Sequence, residues 1–289
     1  MVSPGLIETL GMVNVISLLA VVAIGLPHGA MDGAVALALG YGRNWPRMGA
    51  FILGYIALAG LVVMFWLGFP VLALALFLLI SLVHFGNGDT DTIHPLHRLV
   101  QILCHGGIVV VAIPLFHPNI TSELFSYLSG PDAVVIRSYL YPLAMVITVA
   151  GLIYAGIAIR IPSMRLRFLE FIGLLMCVWA LPPLAGFAIY FAGVHTPRHV
   201  RRIFLKLRAH DPAVSPFRLT ALFTSVTWIG GALAYFYLAE RMAVDAAAFQ
   251  VIFIGLAALT FPHMILIDAV FRPKMRDLVT ETPDHDQNR

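Results

Sequence analysis

The chain of 289 residues has few charged side chains, which make up 11% of its composition, whereas hydrophobic residues make up 60%. Ordinary soluble domains are roughly 25% charged and roughly 45–50% apolar. A soluble fold cannot cover so much apolar surface, so the composition excludes an ordinary water-soluble domain. The formal net charge is only +3, and the basic residues are scattered along the chain. No nucleic-acid partner is therefore expected.

Cysteine and lysine are also scarce. Cys104 and Cys177 lie in apolar runs without CxxC spacing, so neither a disulfide framework nor a thiolate metal site is indicated. The lysines, Lys206 and Lys274, lie in predicted loops. Because a retinal-binding opsin needs an intramembrane lysine for its Schiff base, the sequence disfavours that class of binding protein.

Long apolar runs dominate the sequence. About nine of them approach the roughly 20 residues that cross a bilayer as a helix. They lie near residues 7–26, 49–68, 70–86, 98–116, 139–159, 168–182, 184–204, 217–239 and 247–270. Pro182-Pro183 divides the sixth run from the seventh and marks either a tight turn or a kink in one long helix. We expect an all-α, polytopic transmembrane helix bundle with eight or nine spans and short loops.

The basic residues predict how this bundle lies in the membrane. Lysine and arginine near span ends favour the cytoplasm, and the loops after spans one, three, five, seven and nine hold almost all of them. The opposite loops hold only Arg137 and Arg241. We expect the N-terminus outside and the C-terminus in the cytoplasm, in the cell (inner or plasma) membrane. Residues 1–276 form one membrane domain in this interpretation, and the polar tail 277–289 is expected to be disordered.

Histidines interrupt four of the apolar runs. His28 ends the first run, His84 lies in the third, and His195, His199 and His263 lie in the seventh and ninth. With the expected topology, these spans all run from outside to inside, and each histidine falls late in its span. An ionisable side chain costs roughly 3 kcal/mol at the bilayer centre unless it is paired or hydrated. Histidines at one shared depth therefore indicate a common site.

Imidazole is a ligand that suits iron, zinc and copper. His195 and His199 have the i, i+4 spacing that places two side chains on one helix face, although Pro197 between them can kink the helix. We predict that a metal ion is bound by His28, His84, His195 and His199. The candidates for hydrogen bonds that orient these ligands are Asp32, Asp89, His263 and Asp268. His105 is the main spare candidate for a ligand position, and His263 is another.

Four motifs resemble the Brp/Blh family of membrane β-carotene 15,15′-dioxygenases, named for a bacterio-opsin-related protein and its homologue. They are Gly-Leu-Pro-His-Gly-Ala-Met-Asp at 25–32, His-Phe-Gly-Asn-Gly-Asp at 84–89, His-Thr-Pro-Arg-His at 195–199 and Pro-His-Met at 262–264. The resemblance spans nearly the whole chain in order. It implies that His28, His84, His195 and His199 are catalytic ligands of Fe(II), which activates dioxygen to split β-carotene into two retinals.

The partners implied by this resemblance are a carotenoid, dioxygen and membrane lipid. Two alternatives remain open from the residues alone. Membrane di-iron desaturases and hydroxylases also use histidine-rich sites, but they normally need boxes of the HxxHH type, which this sequence lacks. A metal or ion transporter is the non-enzymatic alternative, because ionisable residues at one depth can define an ion path.

Overall fold

The computed structural model describes residues 4–90, 92–210 and 216–271. Within these ranges the chain is helical and has no β-strand, which confirms the predicted all-α class. In chain order the helices are α1 (Pro4–Leu10), α2 (Met12–Ala38), α3 (Trp45–Gly68), α4 (Pro70–Asp89), α5 (Pro95–Phe116), α6 (Pro118–Ser129), α7 (Pro131–Arg160), α8 (Pro162–Ala180), α9 (183–210), α10 (Pro216–Ala239) and α11 (Val244–Phe271). The predicted tail, 277–289, lies outside the described residues.

Proline marks where most of these helices begin. Its missing N–H falls among the first amides of a helix, which have no intrahelical partner in any case. Pro70, Pro95, Pro118 and Pro162 each open a helix in this way. The loops are short, since a new helix starts one or a few residues after the previous one ends.

Burial separates a central helix from peripheral ones. In α5, 67% of the most apolar stretch is buried within the protein, whereas only 6% is buried in α3 and in α10. The exposed faces of the two peripheral helices carry large apolar side chains such as Leu53 and Leu233. A surface of this kind is suited to lipid rather than to water.

Seven helices in the described part of the chain are long and apolar enough to cross a membrane, namely α2, α3, α4, α5, α7, α10 and α11. The chain is therefore a multi-pass membrane protein. The runs near 168–182 and 184–204 correspond to α8 and α9, which carry several charged residues, among them Arg167, Glu170 and Arg198. The number of crossings and the orientation of the termini stay predictions.

The chain makes a tight turn at Pro182-Pro183. Helix α8 ends at Ala180, and α9 starts again at Pro183. A Cβ atom on Gly186 would lie 3.1 Å from the side chain of Val178, so the two helices lie side by side. Of the two interpretations of this pair of prolines, the turn is the one that the structure contains.

Helix α2 continues to Ala38, beyond its predicted end near residue 26, so His28 and Asp32 lie inside a helix. A π-helical turn, Val21–Gly25, precedes Pro27, and the N–H of Leu26 donates to the carbonyl of Val21 at 3.0 Å. Proline inside an α-helix clashes with the carbonyl four residues before it. The wider π-helical turn lets the helix pass through Pro27 without ending.

The contact between α4 and α5 gives a test of the packing. A methyl group on Gly106 would overlap the backbone carbonyl of Leu82. We expect Gly106→Ala to push the helices apart and destabilise the protein by about 1–3 kcal/mol, seen as a lower thermal midpoint in detergent. Gly173→Ala is the control, because a Cβ at Gly173 meets no atom within 4 Å. Equal midpoints for the two variants would contradict this close contact.

Candidate metal centre

Five histidines from four helices converge in the interior of the bundle. They are His28 on α2, His84 on α4, His195 and His199 on α9, and His263 on α11. Each is 7% exposed or less. The structure thus brings together the four histidines predicted as ligands and adds His263, for which the sequence left open whether it orients a ligand or is one.

The imidazole rings surround a common point. The ring centroid of His28 lies 6.4 Å from that of His84, 5.8 Å from that of His195 and 5.4 Å from that of His199. The rings of His84 and His195 are 5.1 Å apart. Imidazoles packed at these distances can share a cation that accepts their lone pairs.

The donor set fits a metal ion. One ring nitrogen each from His28, His84 and His195 lies within 4.8 Å of the other two. Nitrogen ligands about 2.0–2.1 Å from a metal such as zinc are at most about 4.2 Å apart. Small movements of the side chains therefore bring these three atoms to ligand distance, and the ring of His199 lies beside them.

The backbone orients His28 and leaves one of its nitrogens for the metal. The Nδ1 atom of His28 donates to the carbonyl of Gly25, at the end of the π-helical turn in α2. With Nδ1 carrying the proton, Nε2 is the lone-pair atom. The Nε2 atom of His199 is buried without a hydrogen-bond partner, as expected of an atom that is free to bind a cation.

A buried carboxylate, Asp32, orients His263. The Nδ1 atom of His263 lies 2.8 Å from Oδ1 of Asp32, and the hydroxyl of Tyr55 donates to Oδ2 of the same carboxylate at 2.9 Å. Asp32 is on α2, His263 on α11 and Tyr55 on α3. This arrangement of a carboxylate behind an imidazole is typical of metal sites, where it fixes the tautomer and raises the basicity of the ligand.

A second buried carboxylate, Asp89, lies behind His195. Its Oδ2 atom is 3.7 Å from Nδ1 of His195 and accepts a hydrogen bond from the hydroxyl of Tyr190 at 2.6 Å. Its other oxygen forms an ion pair with Arg198 at 2.7 Å. Arg198 also binds Glu170 at 2.7 Å. The charge of a fully buried carboxylate is thus balanced by an arginine rather than left uncompensated.

Two further residues singled out from the sequence, His105 and Asp268, have different outcomes. His105 is fully buried, and its ring neighbours are Tyr154 at 6.2 Å and Phe171 at 5.9 Å rather than the histidine cluster. Asp268 follows His263 in the π-helical segment Ile265–Phe271, and its predicted role beside a ligand stays a prediction.

Comparison with known proteins agrees with this geometry. A sequence profile of the β-carotene 15,15′-dioxygenase family matches residues 19–271. The chain belongs to this family. A β-carotene 15,15′-dioxygenase from uncultured marine bacterium 66A03 is 34% identical over 254 residues, which cover 88% of this chain and 92% of that relative. No solved structure matches the chain.

Family membership confirms the predicted resemblance and supports the interpretation of the chain as a carotenoid-cleaving oxygenase. It favours this class over the desaturase and transporter alternatives. An oxygenase of this family is expected to use a metal cofactor, and the buried histidines are a suitable place for one. The identity of the ion belongs to the proposal below.

An apolar cavity extends from the histidines, as a carotenoid-cleaving oxygenase requires. Together with its opening to the outside, it contains about 940 Å³ of space not filled by protein atoms. His28 and His84 line one end, Phe187 and Phe253 lie along its wall, and Leu124 of α6 belongs to its lining. Apart from the histidines, Ser81, Thr121 and Thr260, its lining is aliphatic and aromatic. A long hydrocarbon fits such a cavity better than a polar substrate does.

Gly88 gives a test of how the centre is built. A Cβ atom on Gly88 would lie 2.5 Å from Cε1 of His195. We expect Gly88→Ala to displace the imidazole and lower metal affinity at least about tenfold, measured by metal analysis and chelator competition on the purified protein. Gly151→Ala on α7 is the control, since its nearest neighbour is an atom of Phe171 at 3.9 Å. Unchanged affinity in the Gly88 variant would mean that His195 does not bind the metal.

Proposed function

We propose that this chain cleaves β-carotene at its central double bond with dioxygen, giving two molecules of retinal, at an Fe(II) ion held by His28, His84, His195 and His199. The observation that carries the proposal is the convergence of buried imidazoles at one end of an apolar cavity. Membership of the β-carotene 15,15′-dioxygenase family supports the reaction. Neutral nitrogen ligands, as in this donor set, suit a divalent iron.

The overall reaction balances without a further reductant. One carbon–carbon double bond and the bond of dioxygen break, and two carbonyl groups form, so both oxygen atoms appear in the products. Iron, when bound, supplies the site for oxygen and the electrons that activate it. The four histidines hold the ion. Asp89 lies beside His195, and Arg198 balances the charge of Asp89.

The residues of the cavity position the substrate and exclude water. Leu74, Phe77 and Phe85 of α4 line it together with Phe191 of α9. Apolar walls offer water no hydrogen bonds, and they protect reactive oxygen species from side reactions with solvent. A polyene dissolved in the bilayer reaches such a site without passing through water.

The lining residues of α4 show how far the cavity extends from the histidines. Leu74 and His84 both line it and are ten residues apart on α4, which corresponds to about 15 Å along a helix. We infer that one half of an extended polyene lies along this stretch of α4 when its middle reaches the histidines.

Expression in cells that make β-carotene tests the activity directly. We expect the orange pigment to decrease and retinal to appear in extracts of cells that contain the wild-type protein. His28→Ala, His84→Ala, His195→Ala and His199→Ala should each reduce bound iron and abolish retinal, because each removes a ligand. His94→Ala is the control, since His94 is exposed and stacks on His97. Retinal formation at the wild-type rate by any of the four would remove that histidine from the set.

The substrate position has a separate test at the lining residue Leu124. We expect Leu124→Trp to fill part of the cavity and slow carotenoid cleavage about tenfold or more, while bound iron stays at the wild-type level. The matched control is Leu152→Trp on α7, where the leucine is 70% exposed on the outer surface. The measurement is the yield of retinal per bound iron for each of the two variants. Equal yields would contradict the placement of the polyene in this cavity.

A further inference from the structure

The ring of His263 packs against three of the other four histidines of the cluster. Its ring centroid is 5.0 Å from that of His199, 5.3 Å from that of His28 and 5.4 Å from that of His84. These distances are as short as those among the four histidines assigned above. The ring is 2% exposed, so water from the surface does not reach it.

The two ring nitrogens of His263 have different surroundings. Nδ1 is 2.8 Å from the carboxylate of Asp32 and therefore carries the proton. Nε2 is buried and has no hydrogen-bond partner. A buried polar atom without a partner destabilises a protein. If His263 served only to bind Asp32, the lone pair of its Nε2 atom would remain buried without a partner.

We propose that His263 is a fifth imidazole ligand of the metal, oriented by Asp32 and Tyr55. This inference rests on the metal centre of the proposed function and changes its ligand set. Asp32 accepts from Nδ1 and so directs the lone pair of Nε2 toward the ion, which is the usual role of a carboxylate behind a metal-binding histidine. The metal is then held by four helices, α2, α4, α9 and α11.

Tyr55 fixes the orientation of the Asp32 carboxylate beside His263. Its hydroxyl lies 2.9 Å from Oδ2 of Asp32 and 3.2 Å from the carbonyl of Leu259. The helix that carries it, α3, is otherwise mostly exposed to the outside of the bundle. The hydroxyl therefore holds one carboxylate oxygen, so that the other remains available to His263. Tyr55 is a positioning residue in this arrangement, because it acts through Asp32.

Metal binding by His263→Asn tests the assignment. Asparagine keeps an N–H that can donate to Asp32, but it lacks the imidazole. The apoproteins are titrated with Fe(II) against a chromophoric chelator, and with Co(II), whose visible bands change with the number of ligands. We expect His263→Asn to lose at least about 100-fold in affinity and to change the Co(II) spectrum. Wild-type affinity together with a wild-type spectrum would overturn the proposal.

Tyr55→Phe provides a milder variant in case His263→Asn fails to fold. It removes one hydroxyl and leaves every histidine in place. We expect metal affinity to fall about tenfold, in the range usual for groups behind a ligand, with the Co(II) spectrum of the wild type retained. Unchanged affinity in Tyr55→Phe would contradict the role given to Asp32 and Tyr55.

His105→Asn is the matched control. His105 is also fully buried, and both of its ring nitrogens lack a hydrogen-bond partner, but its ring packs against Tyr154 and Phe171. We expect it to bind metal as the wild type does. If the wild-type protein binds no metal, the proposed function fails. If the wild type binds metal and His263→Asn binds it equally well, only the fifth ligand is refuted.

Discussion

Two carboxylates buried inside a lipid-facing bundle, Asp32 and Asp89, are the constraint on which the rest of the centre depends. A buried carboxylate is costly unless partners balance its charge and use its lone pairs. Each of them lies beside a histidine from another helix and accepts a hydrogen bond from a tyrosine, Tyr55 or Tyr190. These contacts connect α2 with α3 and α11, and α4 with α9. The helices are therefore held at the heights that bring the imidazoles together.

The backbone also helps to place the histidines of the centre. Helices α2, α9 and α11 each contain a π-helical segment next to a histidine: Val21–Gly25, Ile189–His195 and Ile265–Phe271. A π-helical turn contains an extra residue, and such turns occur often at functional sites. In α9 the segment ends at His195, and Pro197 then lies in the first turn of a new α-helical stretch, where its missing N–H does no harm. His195 and His199 can thus face the same centre, with centroids 5.8 Å apart, although a proline lies between them.

The sequence alone predicted the all-α membrane fold, and it singled out the histidines because polar residues stand out in apolar runs. It did not predict Tyr55 or Tyr190 as partners, since a tyrosine in an apolar helix resembles any other aromatic residue. Nor did it predict that Arg198 forms an ion pair with Asp89. The π-helical turns carry no simple pattern, and the choice between a turn and a kink at Pro182-Pro183 needed the contact of Gly186 with Val178. These features depend on neighbours that are distant in the chain.

The centre lies between two chemically different regions. On one side are the charged groups Asp89, Arg198 and Glu170, and on the other is the cavity lined by apolar side chains. A hydrocarbon is more stable on the apolar side, so in the proposed reaction a polyene occupies the cavity up to the histidines. The two halves of β-carotene are identical. In the proposed reaction, enclosing one half to the right depth would therefore place the central double bond at the metal, whatever path the other half follows. The position of cleavage can thus be set by how far the cavity extends along α4, without polar groups that recognise a particular bond.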